Sequence, residues 1–197
     1  MDVKTRKKYL RKELNGIINS IPQDEVNRQS DIVTKQVLSH PKYVNAKSVS
    51  IYLSFDKEIQ TEYLLQHIFK SGKTCFIPRF RSGSSEMEMI KLNSLEDYEN
   101  LPVNNWNIKQ PLDDEERVSV FDAGNLDLVL APGLGFTSNG KRLGRGKGYY
   151  DGFLTKCFKE LPNRPFILGL AFKQQIKQEI PTTESDVIID QVLFADD

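Results

Sequence analysis

Apolar residues along the chain recur first at a helical period and then at a strand period. Leu10, Leu14, Ile17 and Ile18 share one helical face, so residues 4 to 19 are expected to form an amphipathic helix that Pro22 ends. A second helix is expected over 24 to 39, burying Val26, Ile32, Val33 and Val37 and stopping before Pro41. The pattern then changes. Residues 48 to 53 (SVSIYL) alternate and are β-branched, which predicts a strand, while TEYLLQHIFKSG from Thr61 reads as a helix with Thr61 as N-cap and Gly72 as its stop. Further strands are expected at 74 to 77, ended by Pro78, and at 87 to 92, 127 to 131 and 166 to 171. A helix is expected over 148 to 160, and 172 to 178 is a further helical candidate.

Alternating strands and helices predict an α/β fold, a three-layer α/β/α arrangement around a mostly parallel, Rossmann-like open sheet, with ligands beyond the carboxyl ends of the strands. A chain of 197 residues can bury one core well, whereas two domains would both be small, so residues 1 to 197 are read as a single domain. No internal repeat is visible. Residues 93 to 125 read as loop, holding Pro102, Trp106, Pro111 and an acidic cluster at 113 to 116 that suits a solvated turn. Trp106, flanked by asparagines, is either a plug over the core or a flat wall for an aromatic ligand.

Charge narrows the function classes. Lysine plus arginine and aspartate plus glutamate number 27 each, so no global field favours nucleic acid or a membrane, and any basic site must be local. Cys75 and Cys157 are too few for a disulfide framework and lack metal-ligand spacing, which points to a reduced, cytoplasmic setting. The basic N-terminus has no apolar signal core, and no apolar run approaches membrane-spanning length. Its first dozen residues hold Asp2 as the one acid, which leaves a transit segment open, but the apolar face described above favours a structural helix.

The chemistry concentrates in LVLAPGLGFTSNGKRLGRGKGYYDGF, residues 128 to 153. A hydrophobic strand runs into Pro132, Gly133 and Gly135, and a glycine-spaced loop carrying Lys141, Arg142, Arg145 and Lys147 opens onto an aromatic helix start. Small residues let backbone N–H groups approach an anion, the helix N-terminus adds positive potential, and the cations add full charges, so a phosphate site is expected. Standard nucleotide patterns fail: from Gly135 the stretch departs from a Walker A loop at Arg142, which cannot coordinate magnesium, and from Gly144 it lacks the last glycine of the dinucleotide pattern. The bland alternative is a Gly/Lys surface turn. Neither His40 nor His67 lies in a pattern resembling a catalytic dyad.

The motif PGLGF…GKRLGRGKGYYD, residues 132 to 151, closely resembles the signature of the 5-formyltetrahydrofolate cyclo-ligase (5,10-methenyltetrahydrofolate synthetase) family. The helix KKYLRK (7 to 12), YLSFDKEIQT (52 to 61), FIPRF (76 to 80), WNIKQP (106 to 111), LAFKQQI (170 to 176) and Asp186 follow in the family's order, over nearly the whole chain; the family often has His-Asp where this chain has Ser185-Asp186. The resemblance implies an ATP-dependent enzyme that joins N5 and N10 of 5-formyltetrahydrofolate, with or without a polyglutamate tail, giving 5,10-methenyltetrahydrofolate, ADP and phosphate. It implies Mg2+ as cofactor, and the expectation is a cytoplasmic monomer with neither nucleic acid nor membrane as partner.

Carried over residue by residue, the resemblance implies that Arg142, Leu143, Gly144, Arg145, Gly146, Lys147, Gly148, Tyr149 and Tyr150 wrap the triphosphate, Arg145 and Lys147 stabilising the transferred phosphoryl group. Lys7, Lys8, Tyr9, Leu10 and Arg11 would meet the nucleotide from the other side, Arg11 reaching the shared reaction centre; without the resemblance a basic helical turn is a solvated face. Folate would contact Arg11, the Arg145 to Tyr149 stretch, and Leu53, Glu58, Phe80 and Trp106, with Glu58 accepting paired pterin N–H groups and Phe55 and Tyr150 adding walls. Asp151 and Asp186 are the implied magnesium ligands, Asp190 being the runner-up to Asp186. Two rival readings remain open: a relative of the same fold that serves as an interaction module, and an ATP-dependent kinase or ligase with another small-molecule acceptor.

Overall fold

The computed structural model describes residues 1–81, 83–84, 86–103 and 108–196. The chain opens with helices α1 (Val3–Asn19), α2 (Gln23–Ser39) and α3 (Pro41–Asn45), followed by strand β1 (Ser48–Ser50), helix α4 (Glu62–Lys70) and strands β2 (Thr74–Phe80) and β3 (Met87–Leu92). Short helices α5 (Leu95–Asn100) and α6 (Val120–Ala123) lead to β4 (Leu128–Ala131), a two-stranded hairpin of β5 (Gly135–Phe136) and β6 (Arg142–Leu143), helix α7 (Tyr149–Glu160), and strands β7 (Phe166–Ala171) and β8 (Gln191–Phe194). The main sheet has the order β3-β2-β1-β4-β7-β8. All its pairings are parallel except β2 with β3.

Alternation along the strands divides the apolar residues between two faces. Leu128 and Leu130 of β4, with Leu168 and Leu170 of β7, pack with Val26, Val33 and Val37 of α2 and Leu64, Leu65 and Ile68 of α4. Val129, Ala131, Ile167 and Ala171 point the other way, into a cluster with Tyr150, Phe153, Leu154 and Cys157 of α7. Strands buried on both faces are what a parallel sheet covered by helices requires, and each fully buried Val, Leu or Ile contributes about 1.5–3 kcal/mol. A third cluster, Leu14 and Ile18 of α1 with Leu134, Leu143 and Ile180, seats α1 on the small hairpin.

Several elements differ from the sequence expectation. Strand β1 ends at Ser50, three residues early; the Ile51 amide still donates to Phe76 O at 2.9 Å, just past its end. Pro78 does not end β2: the ladder with β1 stops at the Ser50–Phe76 pair, so the rest of β2 has an open side that accepts proline. Pro41, expected to follow a helix end, occupies the first turn of α3, and the His40 ring accepts the Lys42 amide at 3.2 Å. The stretch 93 to 125, expected as loop, contains α5 and α6, each opened by a serine whose hydroxyl accepts an amide three residues on. Strand β8 was not expected, and 172 to 178 contains one 3-10 turn, Lys173–Gln175, in place of the helical stretch.

Candidate active site

The strand order places a crevice between β1 and β4. From β1 the chain steps outward to β2 and β3, and from β4 it steps the opposite way to β7 and β8, so the crossovers diverge at the carboxyl ends of β1 and β4. A cavity of about 410 Å³ opens there. Tyr52, Leu53, Phe55 and Glu58 reach it from the segment after β1, Pro78 and Phe80 from the end of β2, and Pro132 and Gly133 from the end of β4. Gly144, Arg145, Lys147 and the first turn of α7 complete the wall.

The cationic stretch is two structures. GFTSNGKR is the β5–β6 hairpin, tied by Thr137 N–H to Lys141 O at 3.0 Å and Gly140 N–H to Thr137 O at 3.0 Å, which is why the Walker comparison fails. The loop at the cavity is 144 to 148. Gly146 and Gly148 hold φ of 107° and 73°, conformations that disfavour side chains, and Gly148 forms the N-cap of α7 without a side-chain cap. The first turn of this 12-residue helix therefore has no side-chain cap, and its residues Tyr149, Tyr150 and Asp151 line the cavity.

Side chains around the loop are held by specific bonds. Arg145 Nη2 donates to Glu58 Oε1 at 2.9 Å; Glu58 is buried, its other oxygen accepts the Phe55 amide at 3.0 Å, and the Arg145 guanidinium lies 5.7 Å from the Phe55 ring centre. Arg142 is buried beneath the loop, donating to Pro132 O at 3.2 Å and to Asp151 Oδ2 at 3.0 Å. The other Asp151 oxygen accepts the Val187 amide at 3.0 Å, which draws the Asp186–Val187 stretch against Asp151. Lys7 donates to both oxygens of Asp186, and Arg11 Nε donates to Gly144 O at 2.8 Å, so one face of α1 clasps the loop. Partial burial alone would raise the Asp186 carboxyl; the Lys7 ammonium and the Thr183 amide and hydroxyl outweigh it and hold the group below the ordinary carboxylate value.

Twelve of the residues given a site role in the sequence line this cavity: Leu53, Phe55, Glu58, Phe80, Arg142, Gly144, Arg145, Lys147, Gly148, Tyr149, Tyr150 and Asp151. Lys7, Arg11 and Asp186 brace its rim through the bonds just given, and Gly146 lies against the Arg11 guanidinium. Leu10 and Leu143 belong to the apolar cluster under α1, while Lys8 and Tyr9 are exposed on its outer face. Trp106 lies outside the described residues. Asp190 is committed elsewhere, to Arg164 at 2.6 Å and the Ile167 amide at 2.8 Å, at the amino end of β7. His67 bonds the Tyr43 hydroxyl at 2.9 Å and His40 the Gln191 amide oxygen at 3.1 Å, both away from the cavity.

The profile of the 5-formyltetrahydrofolate cyclo-ligase family matches residues 3–195. The chain belongs to this family. It is 43% identical over 194 residues to the mouse 5-formyltetrahydrofolate cyclo-ligase, covering 98% of this chain and 96% of that protein. It is 37% identical over 193 residues to a probable 5-formyltetrahydrofolate cyclo-ligase of Caenorhabditis elegans, covering 98% and 94%. The solved 5,10-methenyltetrahydrofolate synthetase of Aquifex aeolicus superposes with a TM-score of 0.74 at 26% identity, covering 94% of this chain and 88% of that one. A Mycoplasma pneumoniae synthetase shares the fold, with a TM-score of 0.71 at 20% identity.

As a member of a cyclo-ligase family the chain is an enzyme of the ligase class. Sequence reasoning gave no role to Tyr52, Pro78, Ile108 or Gln110. Tyr52, Pro78 and Ile108 line the cavity, and the buried Gln110 amide exchanges bonds with Phe80 N–H at 3.1 Å and Phe80 O at 2.9 Å, fixing the wall where Phe80 meets Tyr149 at 4.9 Å between ring centres. Their signal was present, since all four lie within stretches that carry the family resemblance; what they touch depends on the tertiary fold.

Proposed function

We propose that the chain closes N5 and N10 of 5-formyltetrahydrofolate into 5,10-methenyltetrahydrofolate at the expense of ATP, releasing ADP and phosphate. The observation that carries this reading is the 2.9 Å contact between Arg145 and Glu58: the cationic glycine loop and a buried carboxylate share one cavity, which supports binding of a phosphate and a pterin side by side. A formyl group on nitrogen is a poor electrophile. Attack of its oxygen on the γ-phosphorus forms an O–P bond as ADP departs; N10 then attacks the formyl carbon, the C–O bond breaks with loss of phosphate, and the N10 proton leaves.

In this reading the chain positions three reactants and neutralises developing charge. Lys147 and Arg145 face the transferred phosphoryl group, assisted by the first-turn amides of α7 and by Arg11 and Lys7 at the rim. Arg142 acts from below, where its bonds to Asp151 and Pro132 fix the loop's base. Glu58 takes pterin N–H groups once the triphosphate draws Arg145 away, and Leu53, Phe55, Phe80 and Tyr149 cover the rings and exclude water.

The donor set fits magnesium. Among the described residues no group of three or more His, Cys, Asp or Glu gathers as a metal cage, and the two carboxylates that adjoin through the Val187 bond are hard oxygen donors. A cation that keeps waters and takes one or two carboxylates plus phosphate oxygens suits Asp151 and Asp186, where it would screen the phosphate charge. Both carboxylates are otherwise balanced by Arg142 and Lys7, so the site is charge-compensated without the ion. The two buried free cysteines support a reducing, cytoplasmic setting.

The test is the near-ultraviolet absorbance of methenyltetrahydrofolate when purified protein meets 5-formyltetrahydrofolate, ATP and Mg2+, with each left out in turn. Product that needs all components supports the reading. No product from folded protein that binds ATP would refute it and point to another acceptor.

A further inference from the structure

Gln175, in the 3-10 turn after β7, is not among the residues that line the cavity, and only 3% of its surface is exposed. Its Oε1 accepts the Phe172 amide at 2.7 Å, and its Nε2 donates to Gly133 O at 2.7 Å and to Leu134 O at 3.3 Å. A primary amide offers two N–H donors and a carbonyl oxygen, so main chain takes up both ends of this side chain. Burying an amide costs free energy that its bonds must offset. Methionine or leucine would fill the same space, so the choice of glutamine is explained by the main-chain groups it joins.

The groups it joins lie on either side of a bend that the site depends on. The last pair between β4 and β7 is Ala131 with Gly169, and from Pro132 the chain turns away into the hairpin of β5 and β6. Gly133 leaves no room for a side chain of its own, since a Cβ there would stand 2.7 Å from the Phe136 ring and 3.3 Å from Arg142 Cγ. The bend is therefore held from outside, by Gln175 on Gly133 O and Leu134 O and by Arg142 on Pro132 O at 3.2 Å. The turn that carries Gln175 is itself anchored: Gln29 Oε1 accepts the Lys173 amide at 2.8 Å, and the Lys177 amide donates to Phe136 O at 2.8 Å. Pro132 and Gly133 line the cavity, and Arg142 spans from Pro132 O to Asp151 beneath the cationic loop. We infer that Gln175 is a positioning residue for phosphoryl transfer: by fixing the Gly133 carbonyl it holds Pro132 O and Arg142, and through them the register of the loop at 144 to 148 against the triphosphate. This rests on the cyclo-ligase reading and deepens it. Leu53, Phe55, Glu58 and Phe80 reach the cavity from the ends of β1 and β2, outside this line of contacts, so the effect falls on the phosphoryl step more than on folate binding.

The experiment assays Gln175→Met and Gln175→Glu for methenyltetrahydrofolate formation at a temperature where circular dichroism shows each to be folded. Gln175→Met keeps the volume and loses the three bonds; its kcat falls about 10- to 100-fold, while the KM for 5-formyltetrahydrofolate stays within about two-fold of the parent value. In Gln175→Glu an ionised carboxylate faces the Gly133 and Leu134 oxygens, whereas a protonated one donates to Gly133 O and still accepts the Phe172 amide. Burial raises the pKa of the introduced carboxyl, so kcat of this variant relative to the parent climbs about ten-fold as pH falls from about 8 to about 6. A residue that only braces the fold would lower Tm and leave both kcat and its pH profile in the folded protein as they are in the parent, and either result overturns the inference. Should Gln175→Met not fold, the pH profile of Gln175→Glu decides alone. Lack of product from the parent protein would defeat the cyclo-ligase reading by itself; calorimetric titration with Mg-ATP then decides this inference, binding about ten-fold weaker in Gln175→Met supporting it and unchanged binding overturning it.

Discussion

Gly140 is not among the residues that line the cavity, yet the structure makes it a support of the site. Its φ is +85°, and a Cβ there would sit 2.1 Å from the carbonyl oxygen of Ile189. Gly140 O in turn accepts the Ile189 amide at 2.9 Å, so the β5–β6 turn docks directly on the segment that carries Asp186 and Val187. Gly140→Ala therefore meets two costs, roughly 1–2 kcal/mol for the left-handed backbone and roughly 1–3 kcal/mol for overpacking against main chain, or about 2–5 kcal/mol together. For a chain of this size that is a fall of about 4–20 °C in Tm. Gly72→Ala is the control: φ is +70° with nothing within 4 Å of the added carbon, so the backbone term alone applies, about 2–8 °C. Differential scanning calorimetry of both variants measures the difference. In the variant at 140 the Val187 amide should also move off Asp151, lowering turnover at temperatures where the protein is still folded, while the variant at 72 keeps full activity. If the two variants lose equal stability and neither loses turnover, the coupling between the hairpin and the acidic segment is wrong.

Other expectations concern the site itself. Arg145→Ala and Lys147→Ala should each lower kcat by about 10²- to 10³-fold with the fold intact by circular dichroism, and near-normal kinetics would remove the loop from the mechanism. Glu58→Gln should raise the folate KM by about 10-fold or more, because a charged acceptor is lost, and leave the ATP KM unchanged; parallel rises in both would show that Glu58 serves the loop through Arg145 alone. Asp186 has a lowered carboxyl value in the fold, so its contribution to stability is fully present above the unfolded value near 3.9 and is lost as pH falls through the folded value. Urea unfolding should then show that Asp186→Asn narrows the stability gap between pH 7 and pH 3 relative to the parent, and an unchanged gap would refute the assignment.

What could be read without the structure follows from which forces are local. Helices α1, α2 and α7 came within a residue or two of their expected bounds because each is long enough for its period to show, and strands β4 and β7 did so because each is a short apolar run bounded by a polar break, proline or glycine. Strand β8 escaped because Gln191, Val192, Leu193 and Phe194 show little alternation; it exists because β7 offers a free edge, with Leu168 pairing Gln191 and Ala171 pairing Phe194. The persistence of β2 past Pro78 likewise depends on where β1 stops, a fact of another segment. Helix α3 is the converse case, a turn made by His40 and Pro41 whose local signal was present and was read as a stop.

The site divides along the same line. Glycine spacing and charge identified the loop at 144 to 148, since positive φ and close approach are demanded of each residue separately. They could not tell that loop from the equally glycine-marked hairpin before it, because the difference lies in cross-strand bonds such as Leu134 N–H to Leu143 O at 2.7 Å. Nor could they show that Arg142 turns inward to Asp151 while Arg145 turns outward to Glu58, 87 residues away. Two arginines three positions apart carry the same charge and similar neighbours in sequence. Arg142, in β6, is buried and fixes the base of the loop, whereas Arg145, between Gly144 and Gly146, is half exposed. On the function proposed above, that asymmetry suits a site in which the buried guanidinium keeps its place and the exposed one holds Glu58 before ATP binds and the transferred phosphoryl group after it.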